Sequence, residues 1–155
     1  VDWVEQHSIL RDPFIVISSS KSQTNLMKKP FIRYARDLHI GRQIEAQLRR
    51  SDLQPAQGFE FTTNQALFAM TDELDGWAIT TALAYLGTPN AKDRLLASPV
   101  PVPKFSRRLA IHSRAGALGD LPAEMAGRMR AQLEHPLLPR IEKELPFLMD
   151  EFHMI

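Results

Sequence analysis

Not one of the 155 residues is cysteine, which excludes disulfides, thiolate metal sites and cysteine nucleophiles together. Neither sign of charge is in excess: nineteen Lys and Arg against eighteen Asp and Glu leave a net charge of +1, so no overall field drives the chain onto nucleic acid or a membrane surface. No apolar run approaches the length of a membrane span, and no basic, apolar, small-residue series marks a signal peptide. The signatures of common catalysis are missing too. There is no Gly-x-Ser-x-Gly elbow, no glycine-rich phosphate loop and no His-Glu-x-x-His zinc pair. The five histidines, His7, His39, His112, His135 and His153, share no ligand spacing and read as surface or packing residues, so no metal, cofactor or catalytic group is expected. A composition 44% hydrophobic and 24% charged is that of an ordinary soluble globular domain, and the lack of cysteine fits a cytoplasmic one.

What is there is an alternation of strands and helices from Phe31 to Leu86. Phe31 to Ala35 alternates as a half-buried strand and leads into a helix over 40–50, with Ile40, Ile44 and Leu48 four apart on one face and Arg42, Glu45 and Arg49 on the solvated side. Gly58 to Phe61 reads as a second strand. Thr62 and Gln65 then have capping-box spacing before a helix carrying Leu67, Phe68, Met70 and Leu74, which Gly76 should end by taking positive φ. Trp77 to Thr80 is a short buried strand, followed by a helix from Ala82 to Leu86 that stops at Gly87. Strands separated by such helices cannot pair as hairpins, so the pattern implies two right-handed βαβ crossovers and a parallel sheet.

In a parallel sheet the strand-to-helix turns gather along the carboxyl edge, where helix N-termini leave N–H groups unpaired. The turns are Ala35-Arg36-Asp37-Leu38, Thr62-Thr63-Asn64 and Thr80-Thr81. An arginine, several hydroxyls, the Asn64 amide and three positive dipole ends suit a small anionic or polar ligand. The plainer reading, that Thr62 and Thr80 only cap helices, holds for either residue alone; the convergence of three turns favours the ligand.

Pro30 to Tyr34, Gly41 to Glu45, Phe59 to Phe61, Ala66 to Met70 and Gly76 to Thr81 together resemble the second lobe of the effector-binding domain of LysR-type transcriptional regulators. The resemblance implies an α/β fold, a Rossmann-like lobe of a periplasmic-binding-protein type II-like two-lobe architecture, with the first lobe only partly present. It further implies a small-molecule effector held in a cleft between lobes, contacted by Arg36, Asp37, Leu38, Thr62, Thr63, Thr80 and Thr81. Promoter DNA would be reached only through a missing amino-terminal helix-turn-helix, and the helix over 40–50 would pack on a partner subunit of a homo-oligomer. The domain division expected is 1–12 as a lead-in from lobe one, 13–98 as lobe two, and 99–155 as the return to lobe one.

Residues 1–12 form a polar lead-in, Pro13 to Ser18 reads as a strand, and Ser18-Ser19-Ser20-Lys21-Ser22 reads most simply as a solvated polar loop. The resemblance implies instead that the strand passes between lobes and that these serines lie near the hinge. Lys28 and Lys29 read as an exposed pair. Prolines 99, 101 and 103 stiffen a connector to a strand over 107–114. From Leu121 a helix with a core stripe of Met125, Met129 and Leu133 should run to about Glu134, and Pro136, Pro139 and Pro146 should break the helical tail beyond it. Asp72, Glu73 and Asp75 read as a solvated patch rather than a catalytic carboxylate pair. Two alternatives stay open: a solute receptor for transport, which would need a secretion signal, and a two-lobe enzyme like the dehydratases that bind prephenate, for which Asp37 and His39 are the only nearby proton-transfer groups.

Overall fold

A computed structural model of the chain describes residues 3–21, 24–56 and 58–154. Ser22, Gln57, the first two residues of the expected lead-in and the side chain of His153 lie outside this description. The chain forms two compact units, an inner one of Phe14–Phe105 and a terminal one of Val1–Pro13 with Ser106–Ile155. A single strand, β1 (Val4–Ser19), contributes its first ten residues to the terminal unit and its last six to the inner one.

In the inner unit, Phe14 to Ser18 of β1 pairs antiparallel with β4 (Trp77–Thr81), and Val16 to Ser19 pairs antiparallel with β5 (Leu95–Ser98). Ile15, Val16, Ile17, Trp77 and Ala78 are wholly buried, as a strand covered on both faces requires. Beside it, β2 (Arg33–Tyr34) and β3 (Glu60–Phe61) pair in parallel. A parallel bridge from Phe31 to Trp77 continues the order to β4, with Ile32 N donating to Trp77 O at 2.8 Å and Trp77 N to Pro30 O at 3.0 Å. The expected parallel arrangement therefore holds for β2, β3 and β4, while β1 and β5 make the whole mixed.

Helices α1 (His39–Arg50), α2 (Asn64–Glu73) and α3 (Ala82–Leu86) follow β2, β3 and β4, and a short α4 (Ala91–Arg94) precedes β5. Ile44 and Leu48 of α1 and Leu67 and Phe68 of α2 are buried. Burying each such side chain contributes roughly 1.5–3 kcal/mol. Three local expectations shift. The first strand is buried on both faces: the Arg33 side chain is only 10% exposed, paired to Glu45 at 2.9 Å and lying 5.1 Å above the Phe31 ring. Positive φ after α2 falls on Asp75 (49°), not on Gly76. Gly76 is needed for closeness instead, because a Cβ there would lie 2.8 Å from Pro30 O and 2.9 Å from Ile32 Cγ1. Lys29 is not exposed: it is 5% accessible, and its ammonium bonds Asp75 Oδ1 at 2.9 Å and Ser19 O at 3.0 Å. That pair also takes Asp75 out of the expected solvated patch, since a buried ammonium needs a counter-charge.

In the terminal unit, residues 4–13 of β1 pair antiparallel with β6 (Ser106–Arg114), with an irregularity between Ser8 and Leu10, and β7 (His153–Met154) pairs with Leu10 and Arg11. The polar lead-in is thus a strand, and the boundary between units falls at Pro13, several residues before Ser18 and Ser19. Asp12, fully buried, is held by Arg107 Nε at 2.9 Å. Helix α5 runs unbroken from Leu121 to Glu144, through Pro136 and Pro139. Both prolines are exposed while Leu137, Ile141 and, just beyond, Leu145 are buried, so the prolines sit on the solvent side and the packed side of the helix is untouched. Met125 and Met129 are 46% and 41% exposed. Ala126, wholly buried, marks the packed stripe instead, together with Pro122.

Candidate functional site

Because β2, β3 and β4 run in parallel, their carboxyl ends fall on one edge of the inner unit. Tyr34 closes β2, Thr80 and Thr81 close β4, and Thr62, Thr63 and Asn64 join β3 to α2. The Tyr34 hydroxyl ties these together. It donates to Asn64 Oδ1 at 2.7 Å and lies 2.8 Å from Thr80 Oγ1. Tyr34 is 3% exposed and Thr80 wholly buried, where a neutral hydroxyl left without a partner would cost about 1–3 kcal/mol. The bonds therefore hold three elements in register as well as satisfying three polar groups.

Thr63, not Thr62, is the N-cap of α2: its hydroxyl accepts from Ala66 N at 3.2 Å. Thr62 and Thr63 are chemically alike at this step, so spacing to Gln65 selects the wrong one. The correction leaves Thr62 exposed, with a hydroxyl that has no partner among the described residues. Thr81, buried, caps α3 by accepting from Ala84 N at 3.2 Å. Leu38 is the N-cap of α1 and supplies no side-chain bond, so the amide groups of that helix start have none from the cap. No acidic residue occupies the first turn of α1, α2 or α3. The positive ends of the two longer helices are thus uncompensated by carboxylates of their own first turns.

Arg36 stands at the rim with its side chain 68% exposed, its Nε 3.1 Å from Glu60 Oε1. An exposed pair of this kind is worth about 0–1 kcal/mol, which an incoming anion can replace. Ala35 N also donates to Phe61 O at 2.9 Å, so the turns after β2 and β3 are adjacent. Asp37 is exposed, and its carbonyl rather than its carboxylate is used, accepting from Arg42 Nη1. His39 is exposed, and neither its ring nor the Asp37 carboxylate has a partner among the described residues. No acid–base pair is assembled from them. Among the described residues, no group of three or more His, Asp or Glu side chains is placed to hold a metal ion, and no helix is long and apolar enough to cross a membrane.

One member of this edge escapes a sequence reading of the site: Tyr34, which reads only as a strand residue. The signal for Tyr34 is its place two residues beyond Ile32 on a buried face, where an aromatic with a polar tip needs a partner.

No protein-family model matches the chain, and no curated protein sequence does. Solved structures match closely in shape. The chain is similar to the effector-binding domain of QuiR in complex with shikimate (TM-score 0.64, 10% identity, 86% of this chain and 68% of that one). It is also similar to the regulatory domain of CcmR from Synechocystis PCC6803 in complex with 2-PG (TM-score 0.68, 16% identity, 85% and 68%). Full-length HypT from Salmonella typhimurium, a hypochlorite-specific LysR-type transcriptional regulator, matches with a TM-score of 0.65 and 14% identity over 86% of this chain and 47% of that one. The chain has the α/β, periplasmic-binding-protein type II-like fold of these regulatory domains.

Proposed function

We propose that this chain is effector-binding sequence of a LysR-type transcriptional regulator, that its inner unit is the second lobe, and that its carboxyl edge takes a small polar or anionic metabolite. The observation that carries the proposal is the convergence at one edge of the Tyr34–Asn64–Thr80 cluster, the Thr62 hydroxyl and the Arg36 guanidinium, in a fold shared with two domains whose structures hold shikimate and 2-PG. Arg36 pairs the ligand's negative group, and the exposed Thr62 hydroxyl bonds its oxygens. Asp37, Leu38, Thr63, Thr80 and Thr81 shape the edge: Thr63 and Thr81 already use their hydroxyls on helix starts, and the buried Thr80 uses its own on Tyr34.

Binding biases a conformational equilibrium only to the extent that the ligand prefers one state. In this reading that bias is passed to a helix-turn-helix elsewhere in the parent protein, which engages promoter DNA. The parent works in the cytoplasm, as a homo-oligomer in which α1 packs on a partner subunit, and catalyses no reaction. The test is to read the coding DNA upstream of Val1. An in-frame helix-turn-helix and linker helix support the proposal; a secretion signal and an unrelated first lobe overturn it in favour of a transport receptor.

A further inference from the structure

On the inner unit, a cavity of about 260 Å³ opens between α2 and the segment from Thr88 through α4 into β5. Its floor is apolar: Phe68, Ala91 and Leu95 are 4%, 6% and 3% exposed. Its rim is polar, made of Gln65, Asn90 and Arg94. Asn90 is held at φ 60°, in the left-handed region, at the turn that brings the rim round to face α2. The Arg94 side chain is exposed and makes no ion pair or hydrogen bond with any described residue, while its backbone carbonyl accepts from Ser20 Oγ at 3.4 Å. None of these residues belongs to the Tyr34–Asn64–Thr80 cluster.

An apolar recess with a few convergent polar groups is the general form of a small-molecule site. The chemistry here selects within that class. One guanidinium, with no lysine lining the recess, suits a single carboxylate better than a polyphosphate. A floor of Phe68, Ala91 and Leu95 suits a flat or compact apolar body. A recess of this size suits a guest of one ring or a short branched chain.

We propose that this recess is a second ligand site, for a small monocarboxylate with an apolar body, with Arg94 pairing the carboxylate and Phe68 supporting the ring. Benzoate is the probe, and benzamide its uncharged counterpart. Titration of the chain followed by amide chemical shifts should show saturable benzoate binding at millimolar concentration or below, with shifts at Phe68, Asn90, Ala91 and Arg94. Arg94→Gln, a change at an exposed side chain, should weaken benzoate by about tenfold and leave benzamide unaltered. Ala69→Leu, which adds bulk to the recess from the exposed side of α2, should weaken both. Failure to saturate, unchanged benzoate affinity in Arg94→Gln, or shifts confined to Tyr34, Asn64 and Thr80 would each overturn the proposal. The last result would place benzoate at the carboxyl edge, so the two sites are separated by the same experiment.

Discussion

The Tyr34 phenolic oxygen lies 2.8 Å from Thr80 Oγ1, joining the last residue of β2 to the end of β4 inside a region closed to solvent. Its proton goes to Asn64 at the start of α2. One hydroxyl therefore sets the relative positions of three turns, and the geometry of the candidate edge depends on it.

Tyr34→Phe keeps the ring and removes that hydroxyl. Thr80 loses a buried partner, so the chain should be destabilised by about 1–3 kcal/mol, read as a lower urea midpoint at unchanged slope. Thr80→Val in the same background should restore part of the loss, since it removes the orphaned group; a full additive loss in the double variant would show that the two residues are not coupled.

Glycine to alanine in a helix is ordinarily stabilising by nearly 1 kcal/mol. At Gly41 the sign should reverse. A Cβ there would collide with Ala35 O and lie 3.2 Å from Tyr34 O, so α1 must move away from the end of β2. The expected cost is about 1–3 kcal/mol, and a Gly41→Ala chain at least as stable as the parent would contradict the close packing of α1 on this strand.

Proline inside α5 should be removable at a gain. Pro139 is exposed within the helix, where proline is about 3 kcal/mol worse than alanine in an unrestrained helix. Pro139→Ala should raise the thermal midpoint. A lower midpoint would mean that the ring makes packing contacts that outweigh the missing hydrogen bond.

Glu5 and Ser113 face each other across β1 and β6, with Ser113 Oγ donating to Glu5 Oε1 at 2.8 Å. That bond, helped by His7 and opposed by partial desolvation, holds the Glu5 carboxyl below its ordinary value of 4.5. The folded value is the lower one, so the contact adds stability above the unfolded carboxylate range and loses it as pH falls through the folded value. Ser113→Ala should raise the Glu5 midpoint, followed by carboxyl carbon resonances. No movement would remove the serine as the cause.

The order of strands and helices in the inner unit was legible because each element carries its own period and its own turn residues: Ile44 and Leu48 on α1, the threonines before α2 and α3. What the sequence hid was long-range or directional. Residues 4–8 of β1 are mostly polar, and the strand exists because β6, about a hundred residues on, pairs with it. Met125 and Met129 keep helical spacing with Leu133, yet the packed face is set by Pro122, Ala126 and Ile141, since alanine marks a close approach that hydrophobicity alone does not weigh. Pro136 and Pro139 look like helix breakers until their outward direction is known. Lys29 looks solvated until Asp75, 46 residues later, arrives beside it. At the candidate edge, Arg36 and the threonines stood out as turn residues, whereas Tyr34 became visible only once β4 and α2 were seen to meet its hydroxyl.

The most direct measurement is amide chemical-shift mapping of the chain during titration with a panel of small hydroxylated carboxylates, shikimate among them, repeated with Arg36→Ala. A panel member should bind saturably, move Tyr34, Thr62, Asn64 and Thr80, and lose about tenfold in affinity in the variant, whose thermal midpoint should stay within about a degree or two because the Glu60 pair is exposed. Saturable binding that leaves those four residues unmoved, or that is indifferent to Arg36→Ala, would contradict the assignment of this edge as the effector site.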